Sequence, residues 1–334
     1  MTYNLGAYTA CLHSLTIPEA LATLKELGLT GAEVNAGGFI PSPHCPVDLL
    51  LSSSAARDEY LGLFADAGLR LAGLNTSGNP LNPLPDIGPK HAYDLRRAIE
   101  LAEKLGAGEV VSMSGAPGSD PAARYPSWVV NPWDGVYYEV LQYQQSVLDP
   151  FWRDMDRLAQ DNGVRVALEL HPHNTVFTPV GFLEFAERIG AVNVGVNLDP
   201  SHLFWQGMDA IESIRLLGRH IFHVHAKDTR LFPGVATRGV LDPSFGPPPQ
   251  DPAQRTPTGL DHYCSTWPAD PAWRFVAIGE GHDTDFWARF LREIAAVDPS
   301  MSVNIEHEDA AFSQLEGLRL AAERLIDAAA RAER

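Results

Sequence analysis

The stretch Val194–Ile214, "VGVNLDPSHLFWQGMDAIESI", is an apolar run that ends in Asp199 and His202 and passes into a helical pattern. A second run, "IFHVHAKD" (221–228), carries His223, His225, Lys227 and Asp228. Both runs have the length of buried strands. Ionisable groups at the ends of such strands are costly to bury unless they are paired or hold a metal. Where those ends sit in the whole fold therefore decides how the chain is read.

The same unit recurs along the chain. Apolar runs stand at 4–10, 32–36, 69–76, 108–114, 164–170, 194–199, 221–228 and 301–307. Between them lie amphipathic segments such as "AYDLRRAIELAEKLG" (92–106) and "PVGFLEFAERIG" (179–190), with apolar residues at three-to-four spacing. Gly28, Gly68, Gly106 and Gly163 close helical segments just before the next run, as helix C-caps do. Eight strand–helix units exceed a six-stranded doubly wound sheet and predict an α/β fold, a (β/α)8 TIM barrel. No GxGxxG follows the first run, so a dinucleotide-binding sheet has little support. The whole chain, 1–334, reads as one barrel domain with two insertions, at about 115–135 after strand four and about 229–281 after strand seven. Both follow strands, which places them on the face where barrels carry their active sites.

Composition narrows the function. A formal net charge of −17 argues against a nucleic-acid surface and against attraction to an anionic membrane. The three cysteines, Cys11, Cys45 and Cys264, form neither a CxxC pair nor a disulfide framework. The first residues read as an immediate strand, not a signal peptide, and no run reaches transmembrane length, so the expected location is the cytoplasm.

In a barrel the last four strands are consecutive staves whose C-terminal ends share one rim. Their polar ends are Glu169, His171 and His173, then Asp199 and His202, then His223, His225, Lys227 and Asp228, then Glu306, His307 and Glu308. Glu169, Asp199, His225 and Glu306 form the best ligand set. Three carboxylates and an imidazole favour Mn2+, with Mg2+, Co2+ and Zn2+ as alternatives. Each has a structural alternative. Glu169 can pair with a neighbouring histidine, Asp199 can cap the following turn, His225 can be a satisfied core histidine, and Glu308 competes with Glu306. Lys227 and Asp228 can form a local ion pair, or Lys227 can stabilise a developing enolate. His223 shares strand parity with His225. His13, Glu33, Asn75, His171, His202 and His282 complete the expected substrate-binding group with His223 and Lys227.

The segments "LNTSGNPLNP", "LELHPHNTVF", "NLDPSHLFWQGMD", "HVHAKDT", "GEGHDTDFW" and "IEHEDA", in that order, resemble the xylose-isomerase-like superfamily of sugar isomerases and epimerases, and within it a bacterial subgroup carrying "DPSHLFW". The resemblance spans nearly the whole chain. It implies divalent-metal ligation by Glu169, Asp199, His225 and Glu306, and proton transfer next to a carbonyl by Glu169 and Glu306. The interval of 26 residues from Asp199 to His225 is that of the metal-dependent ketose 3-epimerase branch. That branch has an arginine shortly after the strand-seven histidine, and the nearest candidate here is Arg230.

The leading expectation is a sugar isomerase or epimerase acting on a ketose or keto-sugar. The long insertion opens a second, a 3-keto-glycoside lyase or C-glycoside deglycosidase large subunit with a smaller partner chain. A non-catalytic sugar-binding barrel is a third. A metal-dependent endonuclease, a further relative, suits a net charge of −17 poorly. Tryptophans in "SWVVNPWDGVYY" and "CSTWPADPAWRF" predict either lids over a sugar or a dimer contact, and a homo-oligomer is expected.

Overall fold

The computed structural model describes residues 3–334, apart from the side chain of Ala253. Seven strands lead in chain order: β1 (Asn4–Tyr8), β2 (Gly31–Asn35), β3 (Arg70–Asn75), β4 (Glu109–Met113), β5 (Arg165–Glu169), β6 (Val194–Leu198) and β7 (Ile221–Ala226). Four short strands follow in the second insertion: β8 (Asp228–Leu231), β9 (Pro257–Gly259), β10 (His262–Tyr263) and β11 (Trp273–Val276). The last is β12 (Ser302–Ile305). Strands β1 to β7 and β12 close into a barrel in the order β1-β12-β7-β6-β5-β4-β3-β2, every pairing parallel. The chain is a (β/α)8 barrel, as its eight alternations predict.

Helices cover the outside because the strands bury both faces. Trp152, Phe182, Phe185, Trp287 and Phe290, all fully buried, come from the helices. Trp152 also donates its indole N–H to the Ser114 carbonyl, which ties the helix Gly135–Asn162 to the end of β4. That helix begins well before the segment 147–163 that its periodicity marks most clearly. Asp134 caps it by accepting from the Val136 N–H, and "VYYEVLQYQQS" continues into it. The first insertion is correspondingly tight. Gln144 reaches back from the helix and donates to the Ser127 carbonyl at 2.7 Å. Gly28, Gly68, Gly106 and Gly163 have φ of 77°, 69°, 67° and 65°, the left-handed geometry of a C-cap.

The second insertion is built on a hairpin. β8 pairs antiparallel with β11, from Asp228 opposite Val276 to Leu231 opposite Trp273. Its aromatic face packs on the barrel rim. Trp273 and Trp205 lie parallel, 4.6 Å between centroids, and Trp267 meets both Trp273 and Phe275 edge-on.

Within the barrel interior the fit is close. A side chain at Gly6 of β1 would collide with Asn304 of β12 and lie 2.6 Å from the Gly31 carbonyl oxygen. Gly6→Ala is therefore expected to destabilise by about 1–3 kcal/mol through overpacking, read from the midpoint and slope of urea unfolding. A variant as stable as the parent would show that the interior gives way freely at this point.

Candidate metal centre and active site

Four neighbouring staves deliver one cluster. Glu169 ends β5, Asp199 follows β6, His225 lies in β7 and Glu306 follows β12. One ligand atom from each falls within 4.8 Å of the others. Asp199 and His225 are sealed from solvent, Glu169 nearly so, and the Glu306 side chain is 14% exposed. His225 Nδ1 stands 3.4 Å from Glu169 Oε2 and 3.3 Å from Glu306 Oε2. The two oxygens of Asp199 are placed differently. Its Oδ1 accepts the Ser201 N–H at 2.8 Å and shapes the turn, while Oδ2 faces the cluster.

Charge is the dominant feature. Burial pushes the Asp199 carboxyl well up against the pull of Lys227, and Glu169 and Glu306 add to the rise. Burial acts on Glu169 in the same direction, but His202 and His225 outweigh it and hold Glu169 well below the usual carboxylate range. Lys227 is the counter-charge. Its Nζ lies 3.1 Å from Glu306 Oε2, 2.5 Å from Glu308 Oε2 and 3.8 Å from Asp199 Oδ2. Burial opposes its ammonium form, and Glu306, Glu308 and Asp199 overcome that and raise its pKa well above the usual value. Lys227 and Asp228 do not pair with each other, because the Lys227 ammonium is taken up by Glu306, Glu308 and Asp199. Asp228 turns outward to the N–H groups of Thr229, Gly279, Gly281 and His282.

Two buried atoms of this cluster, Asp199 Oδ2 and His225 Nδ1, have no hydrogen-bond partner. Buried polar atoms are rarely left so. Both face other ligand atoms, in a set rich in carboxylate oxygen, and such a donor set fits a divalent cation.

The remaining candidates separate into groups. His202 sits against the cluster, with Nε2 2.9 Å from Glu169 Oε1 and 3.3 Å from Asp199 Oδ2. Burial, with help from His171, pushes it down to about 3, so it is neutral and donates to Glu169. His171 packs its ring 4.2 Å from His202. Below the cluster, Glu33 accepts from His223, His225, Asn75 and Asn304. Glu33, Asn75 and His223 are fully buried and bonded to protein, beneath the ligand atoms. His13 meets His44 edge-on at 5.0 Å. His282 is bound through Nδ1 to Asp228 Oδ1 at 2.7 Å and stacks on Phe204. It lines a cavity of about 610 Å³ with Asp209, Thr229 and exposed Arg230, and none of the four ligand candidates lines that cavity.

Sequence reasoning passed over Asn304 and Phe275 and treated Glu308 only as a rival ligand. Asn304 was detectable, since it alternates with Glu306 along β12 and so faces the interior. Phe275 was not: its ring lies 4.2 Å from Lys227 Nζ and 5.4 Å from the His202 ring only because the hairpin folds back.

A closed parallel barrel with ionisable groups gathered at the C-terminal ends of its strands defines the class of TIM-barrel proteins that place their sites on that rim. The chain belongs to the family described as xylose isomerase-like TIM barrel, whose model matches residues 21–329. It is 33% identical over 327 residues to the uncharacterized protein YfiH of Bacillus subtilis (strain 168), covering 96% of this chain and 98% of that one. Its fold is shared with L-ribulose 3-epimerase, at TM-score 0.61 and 14% identity, covering 99% of this chain and 97% of that one. It is shared as well with a xylose isomerase-like TIM barrel protein of Mycobacterium smegmatis in complex with magnesium, at TM-score 0.61 and 16% identity, covering 98% of each chain.

Lys227→Met tests the charge balance. Removing one partner of a buried ion pair commonly costs about 3–5 kcal/mol. Urea unfolding in the presence of a chelator should show a loss of that order. Added Mn2+ should restore part of it by supplying positive charge to the same carboxylates.

Proposed function

We propose that the protein is a divalent-metal-dependent sugar epimerase or isomerase that moves a proton at the carbon next to a carbonyl. The observation that carries this reading is the approach of Glu169 and Glu306 to one atom. They come from β5 and from the end of β12, three staves apart, and their Oε2 atoms lie 3.4 and 3.3 Å from His225 Nδ1. A substrate carbon beside this point would lie within reach of both carboxylates.

A cation held by Glu169, Asp199, His225 and Glu306 would supply Lewis acidity toward a ketone and its neighbouring hydroxyl. The chain's own groups do the rest. One glutamate removes the proton, and the other returns it to the opposite face, which inverts the centre. Return to the adjacent carbon gives isomerisation instead. Neutral His202 fixes Glu169 by donating to Oε1, which leaves Oε2 toward the cluster. Lys227 beside Glu306 favours its carboxylate form and offers positive charge to a developing enolate. Phe275, leaning on both His202 and Lys227, limits water at this edge of the mouth.

The hairpin favours a substituted keto-sugar over a small free ketose. Trp267, Trp273 and Phe275 are partly exposed and continuous with the rim, a face against which a second ring or an aglycone can pack. With such a substrate, loss of the C1 substituent after proton removal competes with proton return, and elimination is the second reading.

Incubation of metal-reconstituted protein with keto-sugars and keto-glycosides in D2O separates these outcomes by mass spectrometry. Deuterium uptake with inversion supports epimerisation, and uptake with cleavage supports elimination. No exchange with any substrate in the panel would leave a binding protein and defeat the enzymatic reading. Glu169→Gln and Glu306→Gln, each fully metal-loaded by elemental analysis, should lose about 10²–10⁴ in turnover. Near-parental turnover in either variant would remove that glutamate from proton transfer.

A further inference from the structure

We infer that Glu33 is a positioning residue, which acts through His225 to decide the ring nitrogen that is offered to a metal. The inference rests on the reading that Glu169, Asp199, His225 and Glu306 hold a divalent cation. It is carried by hydrogen-bond geometry beneath that cluster.

Glu33, on β2, reaches across the barrel interior to β7. His225 Nε2 lies 3.0 Å from one of its oxygens and 3.1 Å from the other. His223 Nε2 reaches Oε2 at 2.8 Å, Asn304 Nδ2 reaches Oε2 at 3.0 Å, and Asn75 Nδ2 reaches Oε1 at 2.8 Å. Asn75 and Asn304 approach through amide nitrogens, which only donate, so both oxygens of Glu33 act as acceptors. His225 Nε2 lies almost equally far from the two, and a bare ring nitrogen so placed would set its lone pair against them, so His225 carries its proton on Nε2. A neutral imidazole protonated there keeps its free lone pair on Nδ1. Nδ1 is the buried His225 atom that has no hydrogen bond and faces Glu169 and Glu306.

The carboxylate itself is pinned. Asn75 and Asn304 hold it from β3 and β12, and Asn304 fits because Gly6 opposite has no side chain. The ring cannot turn over without giving up both contacts to Glu33. Fixing the tautomer and orientation of a ligating histidine through its far nitrogen commonly changes metal affinity by about 10–100-fold.

Two measurements test this. In the parent protein labelled with 15N-histidine and loaded with 113Cd2+, long-range 1H–15N spectra should show His225 bound to the metal through Nδ1 and protonated at Nε2. Metal bound at Nε2 would overturn the inference, and this measurement needs no variant. In Glu33→Gln, shown to be folded by circular dichroism, calorimetric Mn2+ affinity should fall about 10–100-fold, and the visible absorption bands of bound Co2+ should shift. A residue with a purely structural role would lower the melting temperature and leave the Co2+ spectrum of the folded protein unchanged. An unchanged affinity and spectrum would therefore reject the positioning role. Asp199→Asn is the control for the underlying reading. If it leaves metal binding intact, the four-residue site fails independently of Glu33.

Discussion

Three carboxylates and an imidazole crowded into a few ångströms of buried space repel one another wherever their charges agree, and low dielectric makes that repulsion expensive. Much of the upper half of this molecule is arranged around that difficulty. Lys227 meets it from the rim by placing an ammonium against Glu306, Glu308 and Asp199. Glu33 lies below and accepts the Nε2 N–H of both His225 and His223. The cluster thus sits between an ammonium at the mouth and a hydrogen-bonded carboxyl group in the interior, with His225 joining the two levels.

The dipeptide Lys227–Asp228 links this electrostatic arrangement to the shape of the rim. At the junction of β7 and β8, Lys227 turns to the cluster and Asp228 turns away from it. One carboxylate of Asp228 gathers the N–H groups of Gly279, Gly281 and His282, where the second insertion returns to the barrel, and that of Thr229, where it departs. Both ends of a long excursion are therefore fixed beside the residue that balances the cluster. The aromatic face of the hairpin is held over the mouth as a consequence, and Phe275 touches Lys227 and His202 from there.

Several of these features could be read from the chain alone. The alternation of apolar runs and amphipathic segments specified eight units, and the left-handed C-cap glycines marked where helices stop. The polar ends of "LELHPHN", "NLDPSH", "HVHAKD" and "NIEHED" pointed to one rim once a barrel was supposed. Period-two parity along β7 placed His223 and His225 on the same side. The start of the helix Gly135–Asn162 was less legible, because proline is usually tolerated only in a helix's first turn and Pro150 here lies inside the helix.

The information legible in the chain is local: which segments form strands and helices, and which strand ends carry ionisable groups. These follow from side-chain periodicity and chain punctuation, properties of residues a few positions apart. Tertiary structure decided the rest. Glu33 and His225 are separated by 192 positions, and Asn304 lies 271 from Glu33. Whether Glu33 faces a substrate or the far side of a histidine depends on how strand ends meet across the barrel interior. The same holds for Lys227, whose partners could be named only after β7 and β12 were paired. Hydrogen bonds and ion pairs act over about 3–4 Å, and closure of the barrel is what brings these residues within that reach.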